Sequence, residues 1–214
     1  MIVIQIGLVA PGDPFPGGDR GDRPIDIPGY MISLADSTAI KNAIPTVITG
    51  NLDDAIPQVG SMLGSSSRGP AHDPAHLIKP EIGAPGGSVS AVAGSGTGKR
   101  PFGGTSEASP MVARAAALLL SAKPGLTPNE VKAILMNNAE MNIKNDLITG
   151  SLAPISRIGG GEVRVDRALA ARAAAWDDDT PQGALSFGFL DVYKEEVVLK
   201  KTVRVRNYSD KPIR

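Results

Sequence analysis

The segment FGGTSEASPMVARAAALLL, residues 102–120, constrains the fold of this chain more than any other. Met111–Leu120 contains only apolar residues apart from Arg114, and this composition predicts a helix that runs through a core. Two glycines, Gly103 and Gly104, precede the helix and permit a tight turn. The sequence therefore predicts a glycine turn that leads directly into a buried helix.

Ser106 lies at the junction between the turn and the helix. Pro110 lacks a backbone N–H and is best accommodated in a first helical turn, so the helix is predicted to begin within residues 105–109. Unpaired N–H groups and the helix dipole favour an anion at such an N-terminus. A serine at this place can be a helix cap, which is its commoner use, or a nucleophile beside an oxyanion site.

Composition narrows the classes of partner and chemistry. The 214 residues contain 22 Lys and Arg and 22 Asp and Glu, so the formal net charge is zero. The charge balance therefore gives no indication that nucleic acid or an anionic membrane is a partner. The absence of cysteine excludes disulfides, thiolate catalysis and thiolate metal ligands. The apolar start lacks the basic region of a secretory signal, and no apolar run is long enough to span a bilayer.

The N-terminal quarter of the sequence is predicted to contain two strands, one loop and one helix. We predict a strand at residues 2–9, an exposed loop at Pro11–Pro24, a helix capped by Asp36 or Ser37 that ends near Ala43, and a strand that ends near Gly50.

A capping box marks the helix that follows residue 126. Thr127 can cap, Pro128 occupies the first helical position and Glu130 completes the box. One face of this helix is predicted to pack on the core through Val131, Ile134, Leu135 and Asn138.

The C-terminal third is predicted to change from helix to strand. A helix is expected from Val165 through Trp176, followed by a solvated acidic linker at residues 176–183 that includes Asp177–Asp179. Alternating apolar residues then predict strands, first at Leu185, Phe187 and Phe189 and later at Val203 and Val205. Two strands do not form a stable sheet alone, so a β domain that continues past Arg214 is expected.

Several motifs resemble one protein family. Gly104–Pro110 resembles the Gly-Thr-Ser-x-Ala-Ser/Thr-Pro nucleophile motif of subtilisin-like serine proteases, the subtilases. Further family signatures lie upstream and in register at Ser66–Pro70, Lys79–Ile82 and Ala84–Gly86, and another agreement follows downstream in the capped helix and the run GGGEVRVDRAL. The likeness covers Ser65–Trp176. The flanks resemble a protease-associated insert and the start of a fibronectin-like domain.

The resemblance implies an α/β fold with part of a subtilisin-like parallel sheet, flanking helices and a C-terminal β segment. The implied domains are 1–60, the latter part of the insert; 61–176, the C-terminal half of the catalytic domain; and 184–214, the fibronectin-like start. Ser106 would be the catalytic nucleophile, acting on polypeptide without an organic cofactor. Secretion or display at the cell surface is also implied.

The triad aspartate and histidine of subtilases precede the serine. This chain contains no Asp-Thr/Ser-Gly and no Gly-His-Gly-Thr motif, so it is interpreted as a fragment that is weak or inactive alone. The missing N-terminal half of the catalytic domain would then be a partner. His72 and His76 flank Pro74 and are predicted to be exposed loop residues that are neither metal ligands nor the base.

Two other segments have some features of ligand-binding sites. Ala93–Pro101 lacks the pattern of a phosphate-binding loop and is predicted to be the loop of a hairpin. Calcium sites occur in the family, but Asp13, Asp19, Asp22 and Asp26 lack EF-hand register, and no metal site is predicted.

Two residues depart from the family pattern. Glu107 stands where methionine is common and brings negative charge beside an oxyanion site, and Arg114 replaces a small residue.

The alternative function is a noncatalytic interaction module in which Ser106 only caps the helix.

Overall fold

The computed structural model describes residues 34–43, 58–72, 77–147, 149–180, 182–190, 193 and 196–213. The predicted strands at 2–9 and before Gly50, and the loop Pro11–Pro24, lie outside these residues. The described elements are α1 Leu34–Asn42, β1 Gly87–Ala91, β2 Lys99–Gly103, α2 Thr105–Ala122, α3 Pro128–Asn137, α4 Ile155–Ile158, α5 Val165–Ala170, β3 Ala173–Asp177 and β4 Val203–Asn207. Among the described residues, no helix combines the length and hydropathy needed to cross a bilayer.

The chain divides into two compact units, and α1 belongs to the smaller one. This helix already begins at Leu34, so the prediction that Asp36 or Ser37 caps it is wrong. Leucine and alanine, both strong helix formers, precede those two residues and extend the helix by a turn. Ser37 is buried within the helix. The other elements belong to the larger unit, together with residues 59–62.

The core of the larger unit forms where α2, α3, α5 and β3 meet. Its buried side chains are Ala115 and Leu119 of α2, Val131, Ala133, Ile134 and Leu135 of α3, Ala168 of α5 and Ala174 of β3. The capping box is present as predicted, since the Thr127 N–H donates to Glu130 at 2.8 Å and the Thr127 hydroxyl accepts from the Glu130 N–H at 3.4 Å. Val131, Ile134 and Leu135 of the predicted face are confirmed as core residues, whereas Asn138 lies just after α3 and is half-buried.

Only one side of α2 is buried by the described residues. Leu119 is 0% exposed, whereas Leu118 is 55% and Leu120 40% exposed. The prediction that this helix runs through the core is therefore wrong for the described structure. Its composition is apolar nearly all round, but the described elements pack against one strip of its surface.

The predicted helix from Val165 through Trp176 ends early. Its helical part stops at Ala170, and the alanines that follow form strand β3, which pairs antiparallel with β4. In the register Trp176 lies opposite Arg204. Propensity favours helix for an alanine run, but strand pairing with a segment about 30 residues away overrides it. The predicted strand at residues 185–189 is not formed, whereas the one at Val203 and Val205 is.

The acidic stretch at residues 177–179 is predicted to be a solvated linker, which is wrong for Asp177, whereas Asp178 and Asp179 are exposed. Asp177 is buried and accepts hydrogen bonds from Lys201, at 2.7 Å, and from Thr180. Burial alone would raise the pKa of Asp177, but these donors outweigh it and lower the pKa below its ordinary value. Asp178 forms a two-point ion pair with Arg204. The acidic stretch therefore connects the end of β3, through ion pairs with Lys201 and Arg204, to β4 and the residues before it.

A second polar cluster joins the segment after β4 to the start of α3. Buried Glu130 accepts hydrogen bonds from Arg206 and from the hydroxyl of Tyr208. The Tyr208 ring also lies 5.8 Å from the Lys123 ammonium, at the end of α2. Burial and the neighbouring Glu130 carboxylate raise the pKa of Tyr208 to about 12. One carboxylate thus serves both the capping box and the C-terminal strand.

The predicted parallel sheet is not formed among the described residues. Helices and strands are mixed, as expected of an α/β protein, but both sheets are two-stranded and antiparallel. Parallel neighbours are limited there to the single bridges Ser61 with Lys144 and Gly83 with Glu162. The strands of β1 and β2 are joined by a short hairpin loop, which produces antiparallel pairing.

The glycine run at residues 159–161 packs closely on an upstream signature segment. The Gly160 N–H donates to the Glu81 carbonyl at 2.9 Å, and a Cβ on Gly159, which has φ +64, would lie 2.2 Å from the same oxygen. Glycine is therefore required for this approach. Two of the segments used for the resemblance, Lys79–Ile82 and the glycine-rich run, are in direct contact.

Neighbouring leucines of α2 give a matched test of the core. Leu119→Ala should destabilise the chain by about 2–5 kcal/mol, because it removes buried methyl groups and leaves a cavity. Leu118→Ala should cost less than about 1 kcal/mol, since that side chain is half exposed. Urea unfolding monitored by circular dichroism measures both, and equal losses would contradict the described packing.

Titration tests the Tyr208 cluster. The pKa of Tyr208 is raised from the ordinary 10 to about 12, so the stability that its hydroxyl contributes is complete below pH 10 and is lost as pH rises towards 12. Near-ultraviolet absorbance should show one of the three tyrosines ionising late, and Tyr208→Phe should remove that step. Completion of all tyrosine ionisation near pH 10 would show that the Glu130 contact is absent.

Candidate active site

A glycine turn joins β2 to α2. Gly104 is the N-cap residue, with φ 92 and ψ −177, a conformation that is reached almost only by glycine. Its N–H donates to the Gly86 carbonyl at 2.7 Å. The Gly86 oxygen would lie 3.2 Å from a Cβ at Gly103. The turn therefore brings the upstream segment Ala84–Gly86 against the start of the helix.

Ser106 is the second residue of α2, and its side chain is exposed. The helix begins at Thr105, within the predicted interval, and no side chain caps it. Within the described ranges the Ser106 hydroxyl makes no hydrogen bond. The interpretation of Ser106 as a helix cap therefore does not fit the geometry, because Gly104 holds the capping position.

The Ser106 backbone lies where a helix has spare donors. The first four N–H groups of an α-helix, counted from the N-cap residue, have no acceptor four residues earlier, and that of Ser106 is the third of them. The first acceptor in use is the Gly104 carbonyl, which takes the N–H of Glu107 at 3.0 Å. The positive end of the helix dipole adds to the attraction for an anion at this place.

Pro110 lies in the second turn of α2, so the prediction that it lies in the first turn is wrong. A residue there normally donates its N–H to the carbonyl four residues earlier, which for Pro110 is that of Ser106. Proline has no such hydrogen. The Ser106 carbonyl is therefore without its usual helical donor.

A β-hairpin lies beside the turn. Strands β1 and β2 pair with Gly87 opposite Gly103 and Ala91 opposite Lys99, which confirms the hairpin predicted around Ala93–Pro101. The N–H of Val92 donates to the Gly98 carbonyl at 2.9 Å and closes the loop. The end of β2 is the beginning of the Ser106 turn, so the hairpin positions the turn directly.

Glu107, the residue after Ser106, is only 7% exposed. Its Oε1 accepts a hydrogen bond from the Ser88 hydroxyl of β1, and its Oε2 has no hydrogen-bond partner among the described residues. The charge of Glu107 can be read from the sequence, but its contact with Ser88 cannot. The two residues are 19 positions apart, and only the hairpin register brings them together.

The remaining candidate residues lie partly outside the described part of the chain. His72 is exposed in a loop, and His76 lies outside the described residues. Arg114 is exposed on α2. The four aspartates weighed as calcium ligands, Asp13, Asp19, Asp22 and Asp26, are also outside the described part of the chain, so the expectation about a metal stays a prediction.

Comparisons with known proteins agree with the motifs. A model of the subtilase family matches residues 25–177. The minor extracellular protease Vpr of Bacillus subtilis (strain 168) is 30% identical over 193 residues, which cover 86% of this chain and 23% of that protein. The chain belongs to the subtilase family of peptidases. It spans about a quarter of the length of this relative.

The conformation of Gly104 gives a test of the turn. Gly104→Ala should destabilise the chain by about 1–3 kcal/mol, because φ +92 is strained for any residue with a Cβ. Gly125→Ala is the matched control: its added Cβ meets nothing within 4 Å and its φ is not positive. Thermal unfolding of the two variants measures the difference, and a Gly104→Ala variant as stable as the control would contradict the turn.

Proposed function

We propose that residues 61–176 are the C-terminal half of a serine endopeptidase domain and that Ser106 is its nucleophile. The observation that carries the proposal is the exposed hydroxyl on the first turn of α2, which projects from a glycine turn and has no capping contact. Membership of the subtilase family supports peptide hydrolysis as the reaction and polypeptide as the substrate.

The chemistry assigned to this geometry is acyl transfer. The Ser106 oxygen attacks the carbonyl carbon of a peptide bond while a base accepts the hydroxyl proton. The Ser106 N–H, at the positive end of α2, is one donor to the oxyanion that forms. The carbon–nitrogen bond then breaks as the leaving amine takes up the proton. Water releases the acyl group and regenerates the hydroxyl.

The base and its orienting aspartate belong to a segment that is encoded outside residues 1–214. A triad works as a unit, and a serine without its base loses nearly all of the rate enhancement. Neither His72, in its exposed loop, nor Glu107, which is bonded to Ser88, is assigned to this role. The chain alone is therefore weak or inactive as a protease.

The exposed face of α2 supports such a partner. Apolar residues line it where the described elements leave it open, namely Ala113, Ala117, Leu118 and Leu120. A contiguous apolar surface of this kind is typical of an interface. Burial of an exposed leucine contributes about 1.5–3 kcal/mol. The N-terminal half of the catalytic domain is the occupant that we propose.

The same likeness supports a location outside the cell. The relative from Bacillus subtilis is described as an extracellular protease. We propose that the protein acts in a secreted form or at the cell surface. The fibronectin-like identity of residues 184–214 and the insert at residues 1–60 belong to this proposal as well.

A noncatalytic interaction module is the second candidate. Large apolar side chains are exposed along the segment before β4, among them Phe187, Phe189, Tyr193 and Val198, and they would suit a binding surface. This candidate requires binding without hydrolysis.

Labelling with a fluorophosphonate separates the candidates. The chain alone should label poorly, and the chain joined to the coding region upstream of Met1 should label stoichiometrically and hydrolyse casein. Ser106→Ala should abolish both, whereas Ser121→Ala, at the other end of α2, should leave both unchanged.

Two outcomes would contradict the proposal. Stoichiometric labelling of Ser106 in the chain alone would show that a base lies within residues 1–214. A folded, extended protein that neither labels nor hydrolyses would support the interaction module instead.

A further inference from the structure

Glu107 is unusual because it is a buried carboxyl group with little compensation. It is 93% buried, and one of its two oxygens has no hydrogen-bond partner within the described ranges. Burial of a charged or polar group without partners is unfavourable. A hydrophobic residue would fill the same place without the free-energy cost of burying a carboxyl group. The presence of a carboxyl group here therefore indicates a role other than packing.

Two hydrogen bonds attach the Ser106 turn to one stretch of chain. The Gly104 N–H donates to the Gly86 carbonyl at 2.7 Å, and the Glu107 carboxyl accepts from the Ser88 hydroxyl. Gly86 immediately precedes β1, and Ser88 is the second residue of that strand. Ser106 lies between the two attached residues, Gly104 and Glu107. Its backbone is therefore held from both sides by the same stretch of chain.

We propose that Glu107 is a positioning residue for Ser106: its bond to Ser88 fixes the first turn of α2 on the hairpin, and so fixes the direction in which the Ser106 hydroxyl projects. The importance of Glu107 for hydrolysis rests on the proposed function. The hydrogen bond between Glu107 and Ser88 does not depend on that function.

The same side chain has a second effect, which is electrostatic. A negative charge in the first turn of a helix interacts favourably with the dipole. It also opposes any other anion formed next to it, and burial reduces screening by solvent. Glu107 should therefore order the turn through Ser88 and at the same time weaken the anion-stabilising field at Ser106. Different substitutions separate the two effects.

A single introduced thiol measures both effects. The chain has no cysteine, so Ser106→Cys gives one thiol, and the pH dependence of its alkylation by iodoacetamide gives its pKa. A thiol at an ordered helix N-terminus has a pKa below the free value of about 8.5. This measurement needs no catalytic base and no hydrolysis.

The Ser88 variants test the tether. In the Ser106→Cys background, Ser88→Ala should raise the thiol pKa towards about 8.5, because the turn loosens while the charge stays. Ser88→Thr keeps a hydroxyl donor and should preserve the parent profile.

The Glu107 variants test the charge. Glu107→Gln keeps an oxygen acceptor for Ser88 but removes the charge, and it should raise the alkylation rate at pH 7 by about three- to tenfold. Asp210→Asn removes an exposed carboxyl group near the far end of α2, about 25 Å along the helix axis, and should change nothing.

The Ser88→Ala result decides the proposal. An unchanged alkylation profile in Ser88→Ala would overturn it, as would equal changes in Ser88→Ala and Ser88→Thr. A lower melting temperature with an unchanged profile would show a structural role alone, which also overturns it. The fluorophosphonate experiment reports on hydrolysis separately, so a failure of one proposal is not a failure of the other.

Discussion

The packing of α2 against α3 is the contact on which the larger unit depends. Leu119 and Ile134 are both fully buried there, and side chains of α5 and β3 complete the same core. This contact holds the C-terminal half of α2. The N-terminal half extends away from it towards the hairpin, and Ser106 lies at that end. A firmly anchored helix thereby presents an exposed hydroxyl, with the glycine turn and the hairpin as its only other described supports.

Burial is uneven along α2, and this fits the membership of the chain in a family of larger proteases. The described residues cover Ala115 and Leu119 but leave Leu118 and Leu120 exposed. The motif residues around Ser106 are present and the turn is formed, whereas one face of the helix is not covered by the described residues.

Local features of the fold could be predicted from the sequence, and contacts between distant segments could not. The capping box at Thr127 and Glu130 involves residues three apart, and the Gly103–Gly104 turn lies within a single motif. The alanines of β3 have a local preference for helix, which only the partner strand at Val203–Asn207 overrides. Asp177 resembles a linker residue until Lys201 is placed beside it. Ser88 and Glu107 likewise meet only through the hairpin register.

The pairing of β3 with β4 has a consequence for how this chain can be divided. The family match ends at Asp177, yet that residue is the last of a strand whose hydrogen-bonded neighbour begins at Val203. A recombinant product cut at the family boundary would expose an unpaired strand edge and leave Glu130 and Asp177 without Arg206 and Lys201. The larger compact unit therefore extends past residue 177, where the family match ends, and expression boundaries belong after Tyr208.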